Sequence, residues 1–133
     1  MIFIVDGTGE SDDKAYAREM AGGFCKQLET KLKNRSWYRR GPTFWGTETT
    51  GIANEVVKAV MDLQCSVSGV GEKVFLGGHS RGGAAVIFAA HVLKEKGIPI
   101  EAMFLFDAVD RTVNFKSASR IPANVKNVLP RSS

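Results

Sequence analysis

The sequence predicts an α/β domain in three layers, with a mainly parallel sheet of about five strands between two layers of helices. Short runs that are apolar throughout alternate along the chain with longer segments of helical periodicity. Wholly apolar strands are typical of parallel sheets covered on both faces, and helical connections between them imply right-handed crossovers. With 133 residues and no linker, repeat or low-complexity tract, residues 1–133 are predicted to form a single domain.

The first half of the chain is expected to hold two strands and two helices. Residues 2–5 (IFIV) are apolar, and Asp6 and Gly7 end the run. Residues 11–13 (SDD) supply a helix N-cap and early acidic side chains. The following apolar stripe recurs every four residues, at Tyr16, Met20, Phe24, Leu28 and Leu32. The predicted elements are a strand over 2–5, a helix over about 12–34, a short strand near 36–39 and a helix over about 51–65.

The second half is expected to hold three strands and a central helix. Residues 73–77 (KVFLG) give a buried strand. Residues 82–95 are apolar nearly all round, which indicates a covered helix, and Gly97 ends it. Residues 100–106 (IEAMFLF) form the fourth strand, and residues 123–129 (ANVKNVL) form the fifth.

Composition and charge are ordinary for a soluble globular protein. A net charge of +4 is mild, so a solvated basic exterior explains it and we expect no nucleic-acid partner. Cys25 and Cys65 stand far apart and form no Cys-x-x-Cys pair, which predicts buried free thiols in a reducing compartment. No apolar run reaches membrane-spanning length and none has the pattern of a signal peptide. We therefore expect a cytoplasmic protein, while export without a cleaved signal leaves no trace in a sequence.

The most informative stretch is FLGGHSRGGAAVIFAA, residues 75–90. It places Ser80 between Gly78 and Gly82 in a Gly-x-Ser-x-Gly pattern, with a predicted strand before it and a buried helix after it. Such a serine lies on a strained turn that exposes its hydroxyl, and side chains at the flanking positions would collide with their neighbours. The pattern predicts a nucleophile elbow with Ser80 as the nucleophile. The alternative is a glycine-rich turn that packs helix on strand, with Ser80 idle.

Other polar residues are predicted to meet Ser80, because ligands of open parallel sheets bind at the carboxyl ends of the strands. Asp107 follows the fourth strand and is the preferred acid to orient a histidine, with Asp110 as the weaker alternative. Asp6 also lies at this edge and is expected to hold its own turn. Residues 41–47, a loop rich in glycine and threonine, complete the predicted site.

Two backbone amides are expected to stabilise an oxyanion at this site. The N–H of Arg81, at the N-terminus of the following helix, would be one donor. The loop after the first strand should supply the second, and both Gly7 and Thr8 are candidates.

The base that would activate Ser80 is not evident, since the chain has only two histidines. His79 adjoins Ser80 and cannot fold back onto its hydroxyl, so we count it among the binding residues. His91 lies roughly 14 Å along the helix from Gly82, at 1.5 Å per residue. The usual order is serine, acid, histidine, yet residues 108–133 contain no histidine. The domain is therefore shortened, receives its base from a partner, or is a hydrolase fold with an incomplete catalytic triad and no activity.

Six segments, distributed along the chain in the same order as in a known family, are FIVDGTGES, WYRRGPTFWGT, GIANEVVKAVMDL, VFLGGHSRGGAA, LFDAVD and RIPANVKNVL. In these segments the chain resembles bacterial α/β-hydrolase domains related to type VI secretion phospholipase effectors. The resemblance implies an α/β-hydrolase-like sandwich of reduced size. It also implies esterase or phospholipase activity on carboxylic or phospholipid esters, with Ser80 as nucleophile and Asp107 as the matching acid. The family's histidine would lie beyond a strand like 123–129, where this chain reads PRSS.

Three hypotheses remain open at this point. The first is a serine hydrolase of small-molecule or lipid esters, active or vestigial, that needs no cofactor or metal. Its aromatic and basic residues 37–45 would touch a lipid surface or pack on the core. The second is an inactive binding module whose uncovered sheet edge and apolar face lead to a homo-oligomer. The third, phosphate chemistry, is disfavoured because the glycines at 77–82 are followed by Gly83 and Ala84 where a phosphate loop has lysine and serine or threonine.

Overall fold

A computed structural model describes residues 1–43, 48–67, 69–106 and 121–129. The elements of this part of the chain alternate between strands and helices, as the sequence predicts. They are β1 (Ile2–Val5), α1 (Asp13–Met20), α2 (Phe24–Leu32), a 3₁₀ helix (Lys33–Arg35), β2 (Ser36–Arg39), α3 (Thr49–Cys65), β3 (Phe75–His79), α4 (Arg81–Glu95), β4 (Ala102–Phe106) and β5 (Val128–Leu129).

The five strands form one sheet in the order β2-β1-β3-β4-β5, and every neighbouring pair is parallel. In the register, Ile2 of β1 lies opposite Ser36 of β2 and Phe75 of β3. Helices cover both faces, with α3 and α4 on one and α2 on the other. The predicted three-layer α/β architecture with about five parallel strands is confirmed.

The main core lies between the sheet and the helices α3 and α4. Alternate residues of β1 divide between the two faces, so that Phe3 and Val5 face this core while Ile2 and Ile4 face α2. The helix positions that fill the main core and are fully or almost fully buried include Ile52, Val56, Val60, Ala85, Val86, Ala89 and Leu93.

The face that carries α2 is less completely covered. A groove of about 400 Å³ runs beside α2, and we call it the α2 groove. Phe24 at the start of α2 is 49% exposed, and its ring centroid lies 3.9 Å from that of Phe106 on β4. The α2 groove is mostly apolar, with charged groups only at Arg35, Glu72 and the N-terminal amine; its lining residues are Met1, Ile2, Phe24, Leu28, Leu32, Arg35, Glu72, Phe75 and Phe104.

The single helix predicted over about 12–34 is two helices, which corrects the sequence prediction. Gly22 and Gly23 separate α1 from α2, and Gly23 is the N-cap residue of α2. Glycine in a helix interior costs about 1 kcal/mol relative to alanine, so two in succession end one helix and start another. The predicted N-cap is confirmed at Asp12, whose carboxylate accepts the N–H of Ala15 over 2.9 Å.

The fifth strand is much shorter than the predicted 123–129. Only Val128 and Leu129 pair with β4, and Val125 forms an isolated bridge with Ile100. The side-chain amide of Asn124 donates to the carbonyl of Ile98 over 2.9 Å and to that of Ala90 over 3.2 Å. These bonds tie the segment to α4 and to the residues before β4, and its backbone pairs with Ile100 only through the isolated bridge.

Two smaller predictions are also corrected. The third strand covers 75–79, not 73–77, because Gly77 and Gly78 pair with Ile4 and Val5 in the sheet. Cys25 is buried as predicted, whereas Cys65 is exposed at the end of α3. Among the described residues, no helix has the length and apolar character needed to cross a bilayer.

Candidate functional site

The candidate site lies at the edge of the sheet where β1 and β3 end. β1 continues through α1 and α2 to β2 on one side, whereas β3 continues through α4 to β4 on the other. Because the two connections leave in opposite directions, this strand pair is where open parallel sheets bind ligands, and we call the space at its carboxyl ends the crevice. The loop at residues 6–9 and Ser80 flank the crevice, as the sequence predicts.

Ser80 occupies a strained turn between β3 and α4. Its backbone dihedrals are φ 55° and ψ −123°, a combination that non-glycine residues rarely adopt and that costs of order 1–3 kcal/mol. Its N–H donates to the carbonyl of Phe106 over 2.8 Å, and its own carbonyl accepts the N–H of Gly83 over 2.9 Å. Neighbouring elements thus hold the turn from two sides. The predicted position of Ser80, at a bend between strand and helix, is the observed one.

Gly78 and Gly82 lack side chains because the segments around Ser80 are in direct backbone contact. A Cβ at Gly78 would lie 2.6 Å from the carbonyl oxygen of Gly82, and a Cβ at Gly82 would lie 2.3 Å from that of Val5. Both separations are too short for real side chains. The two glycines therefore let the N-terminus of α4, with its positive dipole end, approach the end of β1.

Asp6 is the buried carboxylate of this edge, with only 2% of its surface exposed. Its Oδ1 accepts the N–H of Gly7 over 2.8 Å, and its Oδ2 accepts the hydroxyl of Tyr38 over 2.7 Å. The Nδ1 atom of His79 lies 3.7 Å from Oδ1. The expectation that Asp6 holds its own turn is confirmed. As a consequence, the N–H of Gly7, one of the two predicted oxyanion donors, is already engaged.

Tyr16 on α1 joins the loop after β1 to the loop after β2. Its hydroxyl donates to the carbonyl of Gly7 and accepts the N–H of Gly41, both over 2.7 Å. A Cβ at Gly41 would lie 2.1 Å from the oxygen of Gly7, so the two loops touch through their backbones. Together they form one wall of the crevice.

Arg40 stabilises the same wall of the crevice. Its guanidinium lies 3.9 Å from the centroid of the Tyr16 ring. It also donates to the backbone carbonyls of Glu10 and Ser11 and pairs with the carboxylate of Asp13 over 2.8 Å. The stacking and the hydrogen bonds hold the loop after β1 against the end of β2.

Burial keeps the phenols and the thiol around Asp6 protonated. Desolvation raises the pKa of Tyr16 to about 12. It raises the pKa of Tyr38 as well, with the hydrogen bond to Asp6 acting in the same direction. Burial and the Asp6 charge raise the pKa of Cys25 to about 12. At neutral pH the two phenols remain hydrogen-bond donors, and the thiol is a poor nucleophile.

Neither histidine is placed as a base for Ser80. The imidazole of His79 packs over Gly7, where an added Cβ would lie 2.7 Å from Nδ1, and it faces Asp6. His91 is on α4, roughly 15 Å along the helix axis from Arg81 at 1.5 Å per residue. This agrees with the sequence analysis, which found no base for the serine on this chain.

The two candidate acids, Asp107 and Asp110, lie outside the described residues. β4 ends at Phe106, the residue before Asp107, and Phe106 is the backbone partner of Ser80. The role of either acid as the orienting carboxylate stays a prediction.

In the aromatic and basic segment at 37–45, the described aromatic side chains pack on the core, whereas Arg39 forms an ion pair at the surface. The ring of Trp37 packs against that of Phe3 with 6.0 Å between centroids, and Arg39 pairs with Glu55 over 3.1 Å. These contacts, with those of Arg40, favour packing on the core over contact with a lipid surface. Residues 44–45 lie outside the described residues.

Sequence reasoning missed Tyr16, Tyr38 and Arg40 as residues of the site. The sequence places Tyr16 in the apolar stripe of a helix. Because a buried tyrosine usually finds a hydrogen-bond partner, its hydroxyl was a signal that this residue makes a polar contact. Nothing in the local pattern indicates the other two, because their partners lie in loops that are distant along the chain.

The polar groups of the crevice are of the kind that act on a carbonyl carbon. They are a serine hydroxyl on a strained turn, the N-terminal amides of α4 and the backbone of the loop after β1. Within the described ranges, no cluster of three histidine, cysteine or acidic side chains is arranged to hold a metal ion.

One solved structure, described as a novel cutinase-like protein from Cryptococcus sp., superposes on this chain with a TM-score of 0.58 and 12% sequence identity. The match covers 96% of this chain and 73% of that one. The two proteins share a fold. No protein-family model matches the chain, and no curated protein matches it by sequence. The resemblance to bacterial hydrolase domains is therefore supported at the level of the α/β-hydrolase-like fold, and the specific family is not.

Proposed function

We propose that this protein is a serine hydrolase of carboxylic esters, with Ser80 as the nucleophile. The observation that carries the proposal is the strained backbone of Ser80 at the junction of β3 and α4, beside the crevice between β1 and β3. Strain of this kind persists only where surrounding contacts enforce it, and it concentrates at active sites. The fold shared with a cutinase-like protein supports the same reaction class.

In the proposed reaction the Ser80 oxygen forms a bond to the ester carbonyl carbon while its proton passes to a histidine. The carbonyl oxygen becomes an oxyanion between the N–H groups of Arg81 and Thr8. Collapse of this intermediate expels the alcohol, which takes the proton from the histidine, and water then releases the acid from the acyl-enzyme. Thr8 is the better second donor because the N–H of Gly7 is bound to Asp6.

The base in this proposal is a histidine other than His79 and His91, supplied by another polypeptide segment. Asp107, with Asp110 as the alternative, would orient it. The substrate class is a small carboxylic ester or the acyl ester of a phospholipid, which the sequence resemblance favours.

A serine-directed probe tests the proposal. With free imidazole supplied as the base, a fluorophosphonate should label wild-type protein at Ser80 and leave Ser80→Ala unlabelled. Free imidazole should accelerate p-nitrophenyl butyrate hydrolysis by the wild type beyond the rate with Ser80→Ala, because it replaces the missing base. If neither labelling nor imidazole-dependent turnover depends on Ser80, the hydrolase proposal is wrong.

A second candidate function is that of an inactive binding module that associates with itself. The α2 groove favours it, since its apolar lining is open to solvent. A folded protein that associates with itself and shows no Ser80-dependent chemistry would support this second function.

A further inference from the structure

The four successive backbone amides after β1 differ in how they are bonded. The N–H of Asp6 donates to the carbonyl of Arg39 over 3.1 Å, and that of Gly9 donates to the carbonyl of Pro42 over 3.1 Å. The N–H of Gly7 donates to the carboxylate of Asp6. The remaining amide, that of Thr8, has no hydrogen-bond partner among the residues the structure describes.

The direction of the Thr8 N–H is set by a bond to the other end of the same peptide group. In a trans peptide the C=O of one residue and the N–H of the next lie in one plane and point to opposite sides. The carbonyl of Gly7 points at the hydroxyl of Tyr16, which donates to it over 2.7 Å. The Thr8 N–H therefore points away from Tyr16 and α1.

Tyr16 is itself held in place. Its side chain is 3% exposed, its hydroxyl also accepts the N–H of Gly41, and Arg40 stacks on its ring. Gly9 provides the space for that ring, since a Cβ there would lie 2.6 Å from the Tyr16 Cδ2 atom. The raised pKa of the phenol keeps its proton available for donation throughout the neutral range.

The same loop is pressed against the turn that carries Ser80. A Cβ at Gly7 would touch the imidazole of His79, and a Cβ at Gly82 would lie 2.4 Å from the carbonyl oxygen of Asp6. The Thr8 amide thus belongs to a loop that lies against the β3–α4 junction.

We propose that Tyr16 is a positioning residue of the Ser80 site: its bond to the Gly7 carbonyl aims the Thr8 N–H into the crevice as the second oxyanion donor. This inference rests on the proposed hydrolase function for its catalytic consequence. The orientation of the Gly7–Thr8 peptide stands independently of it. Tyr16 touches no reacting atom in this proposal and acts through the peptide that it holds.

The orientation is tested by residual dipolar couplings of backbone amides in partially aligned protein. Tyr16→Phe removes the hydroxyl and keeps the ring, so the Thr8 N–H coupling should change relative to wild type. Ser66→Ala is the control, because it removes a hydroxyl that donates to a backbone carbonyl, that of Leu63, away from the loop after β1. An unchanged Thr8 coupling in Tyr16→Phe, or the same change in both variants, overturns the proposal whether or not Ser80 is reactive.

The catalytic consequence has its own readouts. In Tyr16→Phe the imidazole-supported kcat should fall by roughly 10²-fold, the effect of losing one oxyanion donor, with KM little changed. The ³¹P resonance of the phosphonylated Ser80 adduct should also move, whereas Ser66→Ala should keep the wild-type position. A wild-type protein that forms no adduct contradicts the hydrolase proposal alone. A changed Thr8 coupling with an unmoved ³¹P signal contradicts the oxyanion role of Thr8.

Discussion

At the scale of a single residue, Tyr16 contributes both to the stability of the protein and to the geometry of the candidate site. Its hydroxyl both donates and accepts, so two backbone groups from separate loops depend on it. Removing one partner of a buried hydrogen bond leaves the other unsatisfied, which costs about 1–3 kcal/mol. The phenol must be neutral to donate, and burial raises its pKa from 10.0 to about 12.

We expect the stability difference between wild type and Tyr16→Phe to depend on pH. Below pH 10.0 the phenol is protonated in both folded and unfolded chains, so the full contribution of the hydroxyl is present. Between pH 10.0 and about 12 the unfolded chain ionises first, which favours unfolding. The excess stability of the wild type should therefore shrink as pH rises through this window.

Urea unfolding followed by circular dichroism, at several pH values on either side of the ordinary tyrosine pKa, measures this difference. Phenylalanine has no proton to lose, so the variant isolates the contribution of Tyr16 from that of other groups that titrate at high pH. A difference that stays constant or grows across the window would contradict the assignment.

At the scale of elements, the contact between α4 and β1 decides how Ser80 is presented. The helix approaches the strand end through Gly82, whose α-carbon faces the carbonyl oxygens of Val5 and Asp6. Only a residue without a side chain allows this approach. Gly82 is therefore required for packing as well as being part of the Gly-x-Ser-x-Gly pattern.

We expect Gly82→Ala to destabilise the protein by about 2–4 kcal/mol, since overpacked backbone contacts must open to admit the methyl group. Gly51→Ala is the matched control. It lies in the first turns of α3 with nothing within 4 Å of an added Cβ, and alanine should stabilise the helix by about 0.5–1 kcal/mol. Thermal and urea unfolding of both variants provide the comparison. Equal effects would show that the predicted clash at Gly82 is absent.

At the scale of the whole molecule, the two faces of the sheet are unequally covered. α3 and α4 bury a continuous core on one face, whereas α2 leaves Phe75 and Phe104 only partly buried on the other. Large apolar patches on an otherwise soluble surface are typical of interfaces.

We expect the protein to associate with itself through the α2 groove. Leu28→Asp places a charge in the groove lining and should shift sedimentation velocity profiles toward the monomer. Lys31→Gln changes an exposed position of the same helix and should leave association unchanged. A wild-type protein that sediments as a monomer at every concentration would refute this expectation.

Much of this architecture could be predicted because the relevant signals are local. Residues 2–5 are apolar without interruption, and residues 82–95 are apolar on all sides. Each of these segments can therefore be recognised as buried from its own sequence. The glycines around Ser80 predicted a tight turn at the carboxyl end of a strand, where the structure has it. Predictions were less accurate at 123–129, where backbone pairing with residues 100–104 is interrupted and only Val128 and Leu129 form a strand.

The sequence alone therefore determined the layered α/β class, the position of Ser80 at a strand-to-helix bend and the lack of a suitably placed histidine. Each follows from periodicity, glycine spacing or residue count. The bond of Asp6 to the Gly7 amide and that of Tyr16 to the Gly7 carbonyl could be learned from the fold alone. Those bonds join groups whose directions depend on how the loops after β1 and β2 pack together. This packing involves residues distant along the chain, so no local sequence pattern predicts it.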